Sequence, residues 1–262
     1  MKQKIYQVDA FAEAVFSGNP AAVCPLDSWL SDEVMQKIAM ENNLAETAFY
    51  VRQAGQYELR WFTPLVEVDL CGHATLAAAH VLFNCEGHAG DEIQFHSPRS
   101  GPLTVTKSGD FLTMNFPTDQ LEPIPVSDAM RSCFQQQPHS AFKGLTDYML
   151  VFDREQQIRQ AVPDLMKVES LGGRGLIITA PGDDVDFVSR FFAPQSGVPE
   201  DPVTGSAHTT LTPYWAEKLD KTGMEAIQLS KRRGRVICNF LGDRVELSGQ
   251  AKLYLTGEIT WV

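Results

Sequence analysis

Residues 60–83, RWFTPLVEVDLCGHATLAAAHVLF, recur in altered form at residues 190–219, RFFAPQSGVPEDPVTGSAHTTLTPYWAEKL. In the first copy Arg60-Trp61-Phe62-Thr63-Pro64 leads to Cys71-Gly72-His73-Ala74-Thr75; in the second Arg190-Phe191-Phe192-Ala193-Pro194 leads to Thr204-Gly205-Ser206-Ala207-His208. Both read as strand, proline-ended loop, glycine, helix. The arginines stand 130 positions apart and the glycines 133, so the second loop is three residues longer, an excess read as including Glu200-Asp201-Pro202. Further on, Gly101, Gly109, Asp110 and Leu112 match Gly234, Gly242, Asp243 and Val245 without a gap. A long unit used only twice implies two pseudo-symmetric lobes, not a solenoid.

At 262 residues the chain has room for two such lobes. Its net charge of −11, with no basic run, argues against nucleic acid or an anionic membrane as partner. Five cysteines, at 24, 71, 85, 133 and 238, are odd in number and lack C-x-x-C spacing, so neither a disulfide framework nor a zinc site is indicated. Asp9 and Glu13 fall where a signal peptide needs its apolar core, and no apolar run approaches the roughly 20 residues of a membrane span. The reading is a soluble, cytoplasmic protein without metal or cofactor.

Outward from the repeat, Ile5–Phe11 and Ala21–Cys24 read as strands around a turn at Phe16–Pro20. Ser31 caps a helix with Val34, Met35, Ile38 and Ala39 inward, ending near Asn42-Asn43. Leu44–Val51 is a strand with Glu46 alone among small and apolar neighbours, and Tyr57, Leu59 and Trp61 alternate against Glu58 and Arg60. Ala74–Phe83 is apolar almost all round, which predicts a buried helix. Pro117, Pro123 and Pro125 predict an extended linker. The second lobe repeats the plan with a helix over Glu155–Val168, Ile158, Val162 and Leu165 inward, and another, opened by Gly205-Ser206, that Pro213 should kink or shorten.

Glycine before a helix exposes free N–H groups carrying partial positive charge, and two such ends facing each other across a lobe boundary would suit a carboxylate. Glu46 is the candidate acid or base, since an apolar strand strips its hydration and favours the neutral acid. His73, at a helix N-terminus, is expected as a neutral, hydrogen-bonding imidazole. Asp201 is singled out because it belongs to the longer loop. Ser206 is read as a helix cap able to reach a ligand.

Four ordered motifs, Phe16–Ala21 (FSGNPA), Asn43–Phe49 (NLAETAF), Cys71–Thr75 (CGHAT) and Asp201–His208 (DPVTGSAH), resemble those of the PhzF family of phenazine-biosynthesis isomerases. The resemblance implies an α+β, diaminopimelate epimerase-like fold: two lobes, each a curved, barrel-like, mostly antiparallel sheet around a central helix, with the active site between them, in a homodimer. Residues 1–120 would form the first lobe, completed by a last strand at about 250–262, and residues 126–249 the second. By the same resemblance Glu46, His73 and Asp201 are catalytic, and Asn19, Gly72, Ala74, Gly205 and Ser206 bind a small carboxylate-bearing substrate. Related epimerases invert a carbon with two thiols, one before each glycine. Here those positions are Cys71 and Thr204, which disfavours two-thiol inversion. A single carboxyl can instead carry a proton from one carbon to another, which is isomerase chemistry without a cofactor. The alternatives are a hydroxyproline-type dehydratase or epimerase using Cys71, and a non-catalytic small-carboxylate binding protein.

Overall fold

The structure, a computed structural model, describes residues 1–53 and 55–261, which divide into two compact units, 1–115 with 248–262, and 116–247. The first unit runs β1 (Lys2–Ala10), β2 (Asn19–Leu26), α1 (Asp32–Asn42), β3 (Glu46–Gln53), β4 (Gln56–Phe62), β5 (Glu67–Val68), α2 (Gly72–Asn84), β6 (Glu92–Ser97), β7 (Gly101–Ser108) and β8 (Phe111–Pro117). The second runs β9 (Glu122–Ile124), α3 (Asp128–Ser132), β10 (Ser140–Lys143), β11 (Asp147–Val151), α4 (Glu155–Arg159), α5 (Leu165–Ser170), β12 (Gly175–Pro181) and β13 (Phe187–Ala193). It continues with β14 (Val198–Asp201), α6 (Gly205–Leu219), β15 (Gly223–Gln228), β16 (Gly234–Phe240) and β17 (Arg244–Gly249), after which β18 (Ala251–Thr260) ends the chain.

Pairing follows one rule in both units. In the first, β18–β1–β2 is antiparallel, β2–β3 parallel, β3–β4 antiparallel, β4–β6 parallel and β6–β7–β8 antiparallel. In the second, β9–β10–β11, β11–β12, β12–β13, β13–β15 and β15–β16 repeat those senses in that order. Thus β18 occupies in the first unit the place of β9 in the second. The predicted linker is therefore partly strand: Pro123 pairs with Phe142, and proline is tolerated on a short strand of this kind.

The buried helix of the first unit packs on β1, β2 and β3. Ala74, Ala77, Ala78 and Ala79 of α2, with Ala21 and Ala48 of the strands, are fully buried, and such small side chains let helix and sheet approach closely. Leu76, Val81 and Leu82 are buried too, each worth about 1.5–3 kcal/mol against exposure. As expected, Tyr57, Leu59 and Trp61 face inward while Glu58 and Arg60 are part-exposed. The Ser31 cap and left-handed Asn43 bound α1.

Two helix expectations fail for identifiable reasons. The 155–168 helix is two short ones, α4 and α5, because Pro163 cannot continue a helix and Asp164 starts a new one by accepting from the N–H of Lys167; Val162 is 76% exposed, not inward. In contrast α6 runs unbroken through Pro213. The carbonyl that Pro213 leaves without its helical donor is that of Thr209, and the N–H of Asp119 supplies the missing bond at 3.3 Å.

A further duplicated feature emerges from the side chains. Arg60 grips Glu67 through Nε and Nη2 at 2.7 and 2.8 Å and lies over Phe62; Arg190 grips Glu200 at 2.6 and 3.0 Å and lies over Phe192. Matching Glu67 to Glu200 moves the three extra residues ahead of Glu200, into the 3-10 turn Pro194–Ser196 and its left-handed Gly197. The loop expectation is corrected accordingly: Asp201 is not part of the insertion. It matches Val68, and β14 pairs it with Phe191 as β5 pairs Val68 with Trp61.

Candidate active site

Glu46 opens β3 level with Ala21 of β2, two residues beyond Asn19 at the start of β2. Gly18 precedes that strand with φ +65°, and a Cβ there would lie 2.2 Å from the Ala10 carbonyl oxygen, so the turn that delivers Asn19 requires glycine. From α2 come Cys71, the N-cap residue, and His73 in the first turn; the Cys71 side chain makes no cap hydrogen bond, leaving first-turn N–H groups uncapped by it. Parallel strand starts and a helix start thus converge in the first unit. Gly72 and Ala74 flank His73 on this turn, and Ala74 is fully buried.

His73 Nε2 lies 3.1 Å from Glu46 Oε2, while Nδ1 lies 3.3 Å from Asn19 Nδ2 and 3.5 Å from Cys71 Sγ. Both Nε2 and Oε2 are buried, and despite their closeness neither is aligned for a hydrogen bond with any described residue. The 18% exposure of the Glu46 side chain therefore belongs to atoms other than Oε2.

The neutral imidazole expected for His73 is overturned. Burial is the largest influence and opposes the imidazolium, but Cys71 and Glu46 act the other way and hold its pKa well above 6.5. Burial, then the Glu46 charge, pushes the Cys71 thiol up. A full carboxylate charge at 3.1 Å exceeds the half charge of a helix end.

In the second unit Thr204 is the N-cap of α6, again with no side-chain cap bond, because its hydroxyl donates to Asp201 instead. Ser206 is therefore not the cap; it sits in the first turn at the position matching His73. Its hydroxyl accepts from Arg174 Nη2 at 2.9 Å, and Arg174 also grips the buried Asp147 through Nε and Nη2. Fully buried Gln228 accepts from the Thr204 N–H at 2.9 Å and donates to the Asp201 carbonyl at 2.7 Å, fixing the turn before Gly205. Neither Arg174 nor Gln228 stands out in the sequence, since their partners lie 24 to 32 residues away. The one local signal is an arginine among the glycines Gly172, Gly173 and Gly175.

His208, read as structural, is fully buried one turn into α6, its Nδ1 donating to the Thr204 carbonyl at 2.8 Å. Burial lowers its pKa to about 4. An unfolded imidazole protonates near 6.5, so between there and about 4 the unfolded chain binds the extra proton and stability is lost as pH falls. Relative to a His208→Asn variant, the native chain should lose about 2 kcal/mol of urea-unfolding free energy between pH 7.5 and pH 5. A pH-independent difference would disprove the assignment.

The profile of the PhzC-PhzF family, described as phenazine biosynthesis-like protein, matches residues 8–257. An uncharacterized isomerase of Pseudomonas aeruginosa is 50% identical over 259 residues, covering 99% of both chains. The crystal structure of a PhzF-family protein of Enterococcus faecalis superposes with a TM-score of 0.97 at 46% identity over all of both chains. A hydroxyproline epimerase of Agrobacterium vitis, with TM-score 0.61 and 9% identity over 98% of this chain and 92% of its own, shares the fold alone. No helix among the described residues is long and apolar enough to cross a membrane.

Proposed function

From the premise that the chain belongs to the phenazine biosynthesis-like PhzC-PhzF family and is an isomerase, we propose that it moves a proton between two carbons of a small cyclic or conjugated carboxylate, with Glu46 as acid and base. The observation that carries the reading is the buried Glu46–His73 contact, in which Oε2 and Nε2 face each other at 3.1 Å without a hydrogen-bond partner among the described residues. Ionised Glu46 takes a proton from a carbon conjugated with the substrate carboxylate, and the C–H electron pair spreads into the conjugated system. The His73 imidazolium and the uncapped N–H groups of α2 then face the anionic intermediate, the electrostatic contribution on which such reactions depend. Glu46, now the acid, returns the proton to another carbon on the same face; the double bond moves and nothing is consumed.

Asn19 serves by orienting His73, Gly72 and Ala74 by presenting the helix turn. Asp201 as a catalytic group, Gly205 and Ser206 as substrate-binding ones, a homodimer and a cytoplasmic location enter the proposal on the resemblance of sequence. A second reading, a hydroxyproline-type dehydratase or epimerase, draws on the 3.5 Å contact between Cys71 Sγ and His73 Nδ1.

Turnover of candidate cyclic carboxylates in deuterated water separates these readings. The isomerase should place deuterium on carbon in the product without forming the inverted stereoisomer. Inverted or dehydrated product, lost on Cys71→Ser but not on Glu46→Gln, would favour the second reading; binding without any carbon-bound deuterium would leave a binding protein.

A further inference from the structure

Glu46, Cys71 and His73 each offer one ligand atom within 4.8 Å of the others, a nitrogen, a sulfur and an oxygen, and the proposed reaction, which uses the Glu46–His73 contact, gives the sulfur no part. We propose that these three side chains form a binding site for a thiophilic divalent cation, Zn²⁺ foremost, and that its occupancy shuts the enzyme off. Zn²⁺ takes thiolate, imidazole and carboxylate ligands at about 2.0–2.3 Å, which sets neighbouring ligand atoms about 3.2–3.8 Å apart. The 3.1 Å contact to Glu46 is made by His73 Nε2 and the 3.5 Å contact to Cys71 by Nδ1, so a single ion would take one of these nitrogens and the three ligand atoms, now within 4.8 Å, would have to draw together round it. Cys71 and His73 are 7% and 5% exposed, and Glu46 Oε2 and His73 Nε2 are buried polar atoms whose missing partner a cation would supply.

Charge also balances. Around Zn²⁺ a thiolate, a carboxylate and a neutral imidazole sum to no net charge. No net charge is buried, which offsets the unfavourable partial positive end of α2. Mg²⁺ and Ca²⁺ want six or more oxygen ligands and find one carboxylate here. With Zn²⁺ bound, Glu46 cannot receive a carbon proton. That clause rests on the proposed role of Glu46, whereas the binding itself does not.

The test uses the full chain without substrate. Calorimetric titration with ZnCl₂ should give one ion per chain in the micromolar range, unaffected by Mg²⁺, and CoCl₂ should produce a thiolate-to-cobalt charge-transfer band. Loss of an outer partner of a metal ligand costs 10–100-fold, so Cys71→Ser and Glu46→Gln should each weaken Zn²⁺ roughly tenfold or more. Circular dichroism checks that the variants fold; if Cys71→Ser does not, the cobalt band of the native chain decides. No uptake, a cobalt complex without sulfur charge transfer, or uptake unchanged in Cys71→Ser overturns the site. Uptake with turnover unaltered overturns the shut-off and counts against Glu46 as the base, while absent uptake leaves the isomerase reading standing.

Discussion

Glu46→Gln should lower kcat by about 10²–10⁴, the range that a positioned acid–base group contributes, with KM nearly unchanged. The amide keeps the shape of the carboxyl but cannot take a proton from carbon. Stability should fall modestly, since buried His73 loses its carboxylate neighbour, although Oε2 makes no aligned hydrogen bond with a described residue and Glu46 opens β3 without filling the core. His73→Asn should give a smaller loss, since the ring acts through charge and Glu46 through transfer. It should also move the pH profile, because the raised His73 pKa and the Glu46 charge depend on each other. Isomerisation within about threefold of the native rate in Glu46→Gln would remove Glu46 as the catalyst.

The repeat was legible because it is carried by local signals: a glycine before each helix, a proline ending each loop and alternation along each strand. These sufficed for the strand–loop–helix order, the burial of α2 and the candidates Glu46 and His73. What escaped depends on contacts through space. The three-residue insertion was misplaced because the alignment used Arg and Gly as anchors, and only the Arg60–Glu67 and Arg190–Glu200 pairs show where the copies come back into step. The charge of His73 was misjudged because the sequence shows its helix end and not a carboxylate 27 residues upstream at 3.1 Å. The apolar spacing of Ile158, Val162 and Leu165 suggests one helix, but Pro163 within it forces two.

The same register shows why one unit carries the carboxyl and the other does not. Thr47 pairs with Phe62 as Leu176 pairs with Phe192, so the counterpart of Glu46 is Gly175. A Cβ at Gly175 would lie 2.3 Å from the ring of Phe191, at the position that Trp61 fills in the first unit. No side chain fits there without displacing an aromatic ring from a packed interior. With Thr204 in place of a second thiol, the second unit lacks both groups that a two-base inversion would need, which favours proton transfer by a single group.

Arg190→Met is the substitution with the largest expected cost in stability. Arg190 is 13% exposed, grips Glu200 with two bonds, lies over Phe192 at 4.9 Å and donates to the carbonyls of Ile158 and Ala161 at 3.2 and 2.6 Å. Methionine fills much of the volume but leaves the Glu200 carboxylate and the Ala161 carbonyl without this donor, while the Ile158 carbonyl still accepts from the N–H of Ala161 at 3.3 Å. Removing one partner of a buried pair costs 3–5 kcal/mol, and because Glu200 keeps 24% exposure the lower end applies, about 3 kcal/mol or a fall of about 6–12 °C in Tm. Replacing both partners, Arg190→Met with Glu200→Leu, removes the stranded charge and should return to within about 1 kcal/mol of the native chain. The matching Arg60→Met should cost less, since Arg99 also holds Glu67, at 2.9 Å. A double variant less stable than the single one would show that the ion pair itself, and not avoidance of a lone buried charge, holds β14 in place.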